Sequence, residues 1–434
     1  RQRQMCIRDR HGADRPMSAI PEQSRQGFAA LMAAILRDGA WFDADRARGY
    51  ARLLGAVLAL STLAYVATSK GGVDLSGKAL GTDFASFYAA SALALSGEAA
   101  RVYDLAAHGA AQTAIFGRDI GYAAFFYPPI FLLMCLPFGL FPYLVSLVLW
   151  QGATALFYWR VARRFAGSRL GALPFFAFPA VMLNVGHGQN AFLSTGLFGA
   201  GILWLHSRPA LAGMMFGALA YKPHLGLVIP LVLLIGRRWT AIASAGATVI
   251  GLSALSALVF GVESWRGFLA VAPLASATLE HDLVGAEKMQ SAYAAIRVLG
   301  GGSGLAYLIQ GIVAAGTLGA LAWVQITRQR RTKGAQIDET PLMVLACLLT
   351  SPFLLDYDLM LMALPMAWLF REAMRTGFLP YEKTVLLAAF ILPLLARPLA
   401  MAAHIPLGPI VILALFSIMA RRILLEPDGR LNPA

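Results

Sequence analysis

Apolar residues along this chain gather in long runs separated by short polar gaps. A helix needs about 20 apolar residues to cross the hydrocarbon core of a bilayer, or fewer where it tilts or the bilayer thins. The first run, about 51–69, meets that length. A long connection follows, about 70–126, with charges of both signs and two helix-like stretches at 83–97 and 98–116. Further apolar runs lie near 127–159, 171–186, 190–206, 209–222, 223–236, 239–260, 304–327, 341–355, 357–370, 383–397 and 405–420. The pattern predicts an all-α polytopic membrane protein with about 12 transmembrane helices and short helices in its first outer loop.

Basic residues fix the expected orientation, because Lys and Arg accumulate in cytoplasmic loops. Arg46, Arg48 and Arg52 precede the first run, and later clusters are Arg160/Arg163/Arg164/Arg169, Arg237/Arg238, Arg328/Arg330/Arg331/Lys333, Arg371/Arg375 and Arg421/Arg422. Placing these inside leaves 70–126, 187–190, 221–224, 261–303, 352–358 and 397–405 outside, with both termini cytoplasmic. Parity then requires one crossing at about 140–160, preceded by a half-embedded helix that opens at Tyr127-Pro128-Pro129. The expected organisation is a cytoplasmic segment 1–50, a membrane block 51–327 with outer loops 70–126 and 261–303, a basic linker 328–340, and a second block and tail 341–434. The opening RQRQMCIRDR reads as non-native, so residues 1–16 are set aside and Met17 is the expected start.

Composition narrows the class. Only 14% of the 434 residues are charged, against about 25% in soluble domains, and the mean hydropathy is +0.64. The net charge of +13 would suit a nucleic-acid binder only if it covered one soluble face. Here it is dispersed between apolar runs, and no nucleic-acid partner is expected. Cys6, Cys135 and Cys347 form neither a disulfide framework nor a zinc pattern.

Polar groups at membrane depth or at its edge are costly and call for a reason. Gly81-Thr82-Asp83-Phe84 places an acid just beyond the first run, ahead of Phe87 and Tyr88. A partly desolvated carboxylate there suits a general base, and equally Thr82 or Asp83 would serve as a helix N-cap. Tyr127 precedes two prolines that suit a helix start and would line a pocket mouth. In Gly186-His187-Gly188-Gln189-Asn190 the glycines suit a tight turn, and His187, Gln189 and Asn190 are either turn residues or ligand contacts. Tyr221-Lys222-Pro223-His224 offers either a snorkelling lysine or a cationic phosphate site of Lys222 with His224. Asp356 and Asp358 are either a counter-charge for Lys222 or a loop cap. A Walker motif, a dinucleotide-binding glycine fingerprint and zincin spacing are all missing.

GTDF-x-x-FY after the first run, then FFYPP, GHGQN and AYKPH, in that order, resemble glycosyltransferase family 87. These are polyprenol-phosphate-mannose-dependent mannosyltransferase-like membrane proteins of the GT-C superfamily, and the resemblance spans about 51–400. It implies a plasma-membrane hexosyltransferase with an outward-facing site, a polyprenyl-phosphate sugar donor and a lipid or glycan acceptor. Mannose is the expected hexose, and transfer is expected to be inverting and metal-independent, with no cofactor. On the matching positions it implies Asp83 as catalytic base, Lys222 with His224 on the donor phosphate, and Gly188 and Gln189 in a substrate-facing turn. Tyr88, Tyr127, His187, Asn190 and Asp356 are further expected substrate contacts. The rival is a secondary transporter or lipid flippase working through Lys222 and Asp356/Asp358, although no pair of matched broken helices supports it.

Overall fold

The computed structural model describes residues 31–167, 171–282, 284–331 and 340–425. Arg169, Lys333 and most of the 328–340 linker lie outside the described residues, as do residues 1–16 and the last of the tail. Among the described residues the protein is all-helical, with isolated bridge pairs but no strand.

Among the described residues five helices are long and apolar enough to cross a membrane: Ala44–Ala67, Trp239–Phe260, Ser303–Arg331, Glu382–Ala403 and Leu407–Leu425. At 1.5 Å per residue, the 24 residues of Ala44–Ala67 reach about 36 Å, beyond the roughly 30 Å of a hydrocarbon core. Several other apolar runs are broken into shorter pieces. The 171–186 run is Leu173–Phe176 and Ala180–His187, and the 223–236 run is Pro223–Gly226 and Ile229–Ile235. Prolines near the starts of these pieces explain the breaks, since each lacks the N–H that would continue a preceding helix. Their apolar character serves burial inside the protein: Ala191–Trp204, only 14 residues long, is enclosed along most of its length.

The 127–159 region folds as a short helix followed by a long one, and the long one is not among the five candidate spans. Pro128 sits in extended backbone ahead of the short helix Pro129–Cys135. A 3-10 turn, Leu136–Leu140, then leads to one 24-residue helix, Tyr143–Ala166. The first loop holds Thr82–Leu95, the 3-10 segment Ala99–Tyr103 and Leu105–Phe116.

Two sets of connections gather at the two ends of the long helices. At one end, Val262–Glu280 packs on Ala99–Tyr103 through Tyr103 and Phe268, whose rings are 6.0 Å apart. There too the Gln290 N–H donates to the Leu354 carbonyl at 2.7 Å. Loops 70–126, 261–303 and 352–358 thus share one side. At the other end, Arg331 donates to the Leu424 carbonyl, Gln329 to Ile235 and Arg421 to Pro380. Arg422 clasps Glu382 through two bonds of 2.7 and 2.6 Å. The basic clusters therefore lie together, away from the polar motifs. One apolar core joins the two ends, running from Phe84 and Phe87 through Trp150, Phe192 and Tyr221 to Trp368.

Candidate functional site

Asp83 is placed by a helix start that its own side chain does not cap. The cap residue is Gly81, left-handed at φ 71° and without a side-chain hydrogen bond, and the helix begins at Thr82. The capping expectation for Thr82 or Asp83 is thereby corrected: both are inside the first turn. The Tyr143 hydroxyl fixes this turn, donating to the carbonyls of Leu80 (2.5 Å) and Gly81 (3.1 Å). Freed from capping, the Asp83 side chain reaches the 187–190 turn, where its Oδ2 accepts from Gln189 Nε2 at 3.0 Å. No hydrogen bond to Oδ1 occurs among the described residues, and the side chain is half-buried.

The turn itself is rigidly held. Gly188 ends Ala180–His187 at φ 64°, with its N–H and that of Gln189 bonded back to Val185 and Asn184. A Cβ at Gly188 would stand 2.6 Å from the Phe84 Cβ, so only glycine lets the turn approach the Asp83 helix. Trp150 donates to the Gly188 carbonyl (3.2 Å) and Gln151 to that of Gln189 (3.0 Å). Asn184 bridges Gln151 Oε1 and the Ala191 N–H. Gln189 Oε1 accepts from the Tyr127 hydroxyl at 3.3 Å and from the Asn190 N–H at 2.8 Å. Gln189 therefore links Asp83 to Tyr127. His187 is half-buried, with Nδ1 2.8 Å from the Thr82 hydroxyl.

Two other expected contacts are packed against the protein. Asn190 is 0% exposed behind this turn, and neither polar atom of its amide has a hydrogen-bond partner among the described residues. Tyr88 donates to the Phe141 carbonyl at 2.9 Å and meets Tyr143 edge-on at 5.3 Å.

Lys222 is not a lone cation. Its ammonium donates to Asp358 Oδ1 at 2.7 Å, both side chains being almost fully buried, and it lies 5.1 Å from the centre of the Tyr357 ring. His224 is half-buried, with Nε2 enclosed and unpartnered. Tyr357 faces His187 on its other flank at 6.3 Å, so the Lys222–Asp358 pair and the Asp83–Gln189 turn adjoin. Asp356 is 3% exposed and its Oδ2 has no partner. Burial pushes the Asp356 carboxyl above the usual carboxylate range, opposed by nearby His187 and Arg397. Gln151 and Asn184 carried no motif in the sequence; only their partners did.

The structure thus joins Asp83, Gln189 and Tyr127 directly and His187 through Thr82, with Lys222, Asp358 and Asp356 beside them. A half-buried carboxylate with one oxygen oriented and the other unengaged can accept a proton from a hydroxyl. Among the described residues no group of three or more His, Cys, Asp or Glu side chains is placed to hold a metal ion. A model of glycosyltransferase family 87 matches residues 125–352, and no curated protein and no solved structure matches.

Proposed function

The chain belongs to glycosyltransferase family 87, whose model matches more than half its length, and from this membrane glycosyltransferase identity we propose that Asp83 is the base of a lipid-linked sugar transfer. The observation that carries this is the 3.0 Å bond from Gln189 to Asp83. It ties an acid outside the matched segment to a motif inside it, and leaves Oδ1 available to an acceptor hydroxyl.

The donor in this proposal is a polyprenyl-phosphate hexose, with mannose the expected sugar, entering laterally from the bilayer. The acceptor, a lipid or glycan hydroxyl, attacks the anomeric carbon from the face opposite the phosphate, which gives inversion. Its oxygen forms the new bond, the bond to the phosphate oxygen breaks with its electron pair, and the acceptor's proton passes to Asp83. Gln189 and the Thr82–His187 contact hold the base in place, so little reorganisation is needed as charge moves. Lys222 enters as half of a buried pair with Asp358. Family membership weighs against the transporter alternative built on these same residues. In crude membranes expressing the chain, label from a radiolabelled polyprenyl-phosphate hexose should appear in a new glycolipid or glycan product. Transfer from a soluble nucleotide sugar, with none from the lipid donor, would sink the proposal.

We further propose about 12 crossings in the plasma membrane, both termini cytoplasmic and the site outside, counting the half-length apolar helices among the crossings. Support comes from the basic loops gathered at the far end from Asp83. With Cys6, Cys135 and Cys347 replaced, a cysteine at Ser76 should react with a membrane-impermeant maleimide in intact cells, and one at Arg330 should not. The opposite labelling would put the site in the cytoplasm.

A further inference from the structure

The donor proposed above carries a phosphate, and the Lys222 charge is already neutralised by Asp358 at 2.7 Å. Another cation stands beside the site. Arg397 lies near the end of Glu382–Ala403, a helix that packs against both Ala180–His187 and the 3-10 segment Asp356–Met362. It is half-buried, and among the described residues it has no hydrogen bond or ion pair. Pro393 and Pro398 bracket it, and each removes one bond from the helical ladder. Its charge acts on Asp356. Arg397 is thus a planar guanidinium with its donors uncommitted, on a helix packed against the segment that carries Asp356, whose buried Oδ2 lacks a partner. Withdrawing such a group from water is costly unless an acceptor arrives.

We propose that Arg397 binds the phosphate of the lipid donor. This rests on the lipid-phosphate donor of the preceding section. The guanidinium fork matches two phosphate oxygens at once. When the anomeric bond breaks, the phosphodiester monoanion becomes a monoester that carries more charge. Arg397 then interacts more strongly in the transition state than with bound donor, which is the condition for accelerating the chemical step. Arg397 lies beyond the 125–352 segment that the family model matches.

The test uses the full chain in membranes, with polyprenyl phosphate and the neutral polyprenol of equal length as competing inhibitors of transfer. Arg397→Gln should weaken inhibition by polyprenyl phosphate roughly 10- to 100-fold, the loss expected for a charged hydrogen-bonded contact, and leave inhibition by polyprenol unchanged. Arg397→Lys, which keeps the charge but not the fork, should fall between Arg397→Gln and wild type. Equal weakening towards both inhibitors would show a packing role and overturn the assignment, as would wild-type inhibition in Arg397→Gln. A wild-type chain that transfers no sugar from polyprenyl-phosphate donors would instead overturn the donor reading itself.

Discussion

Asp83→Asn should slow sugar transfer by roughly 10²–10⁴-fold, the usual contribution of a general base, with the chain still inserted and folded. The geometry makes this substitution clean. An Asn side chain is isosteric and its oxygen can still accept from Gln189 Nε2, now 3.0 Å from Asp83 Oδ2, so the turn should keep its place. Capping is unaffected, because the cap position is Gly81. What remains of a structural role is the negative charge in the first helical turn, worth about 0.3–1 kcal/mol at most exposed helix ends. That is well below the roughly 3–5 kcal/mol that the rate loss represents, so the two roles separate by size. Asp83→Glu keeps the charge but moves it by a methylene, and should retain little activity because rate falls steeply with misplacement. Single-turnover rates measured beside thermal stability in detergent decide the matter. A near-normal Asp83→Asn rate would remove Asp83 from the chemistry.

Much of this site was legible because costly residues in an apolar chain stand out. Asp83, His187, Gln189 and Lys222 drew notice for their placement between apolar runs, and the structure brings them to one end of the bundle. Their partners were harder to see. Asp358 lies 136 residues from Lys222, and sequence left it open whether that acid was a counter-charge or a cap. Tyr88 and Asn190 show a limit of sequence: an aromatic near an acid, or an amide in a turn, looks the same whether it faces a ligand or the protein. The fold was legible in class but not in the length of its helices. Hydropathy reports that a segment avoids water, and burial within protein satisfies that as well as lipid does. The pieces Pro223–Gly226 and Ile229–Ile235 therefore read as one continuous run.

The Lys222–Asp358 pair gives the second large effect, and a double substitution is needed to interpret it. Lys222→Met alone strands the Asp358 carboxylate in a site where both side chains are almost fully buried. Removing one partner of such a pair costs about 3–5 kcal/mol, so the variant should be strongly destabilised and inactive whatever Lys222 does in catalysis. Lys222→Met with Asp358→Leu removes both charges together. Replacing a buried pair by apolar groups of similar size is often neutral or stabilising, and the Met side chain can still pack on the Tyr357 ring that the ammonium now faces at 5.1 Å. The double variant should recover the wild-type thermal midpoint in detergent and transfer sugar within about tenfold of wild type, because the ammonium is committed to Asp358 rather than to the donor. The comparison with Asp83→Asn sharpens the result, since that variant should be stable yet slow, and Lys222→Met unstable. A double variant with a restored midpoint but transfer still depressed by the hundredfold or more typical of a lost transition-state contact would return the donor phosphate to Lys222. In that case the pair with Asp358 would have to open when the donor binds.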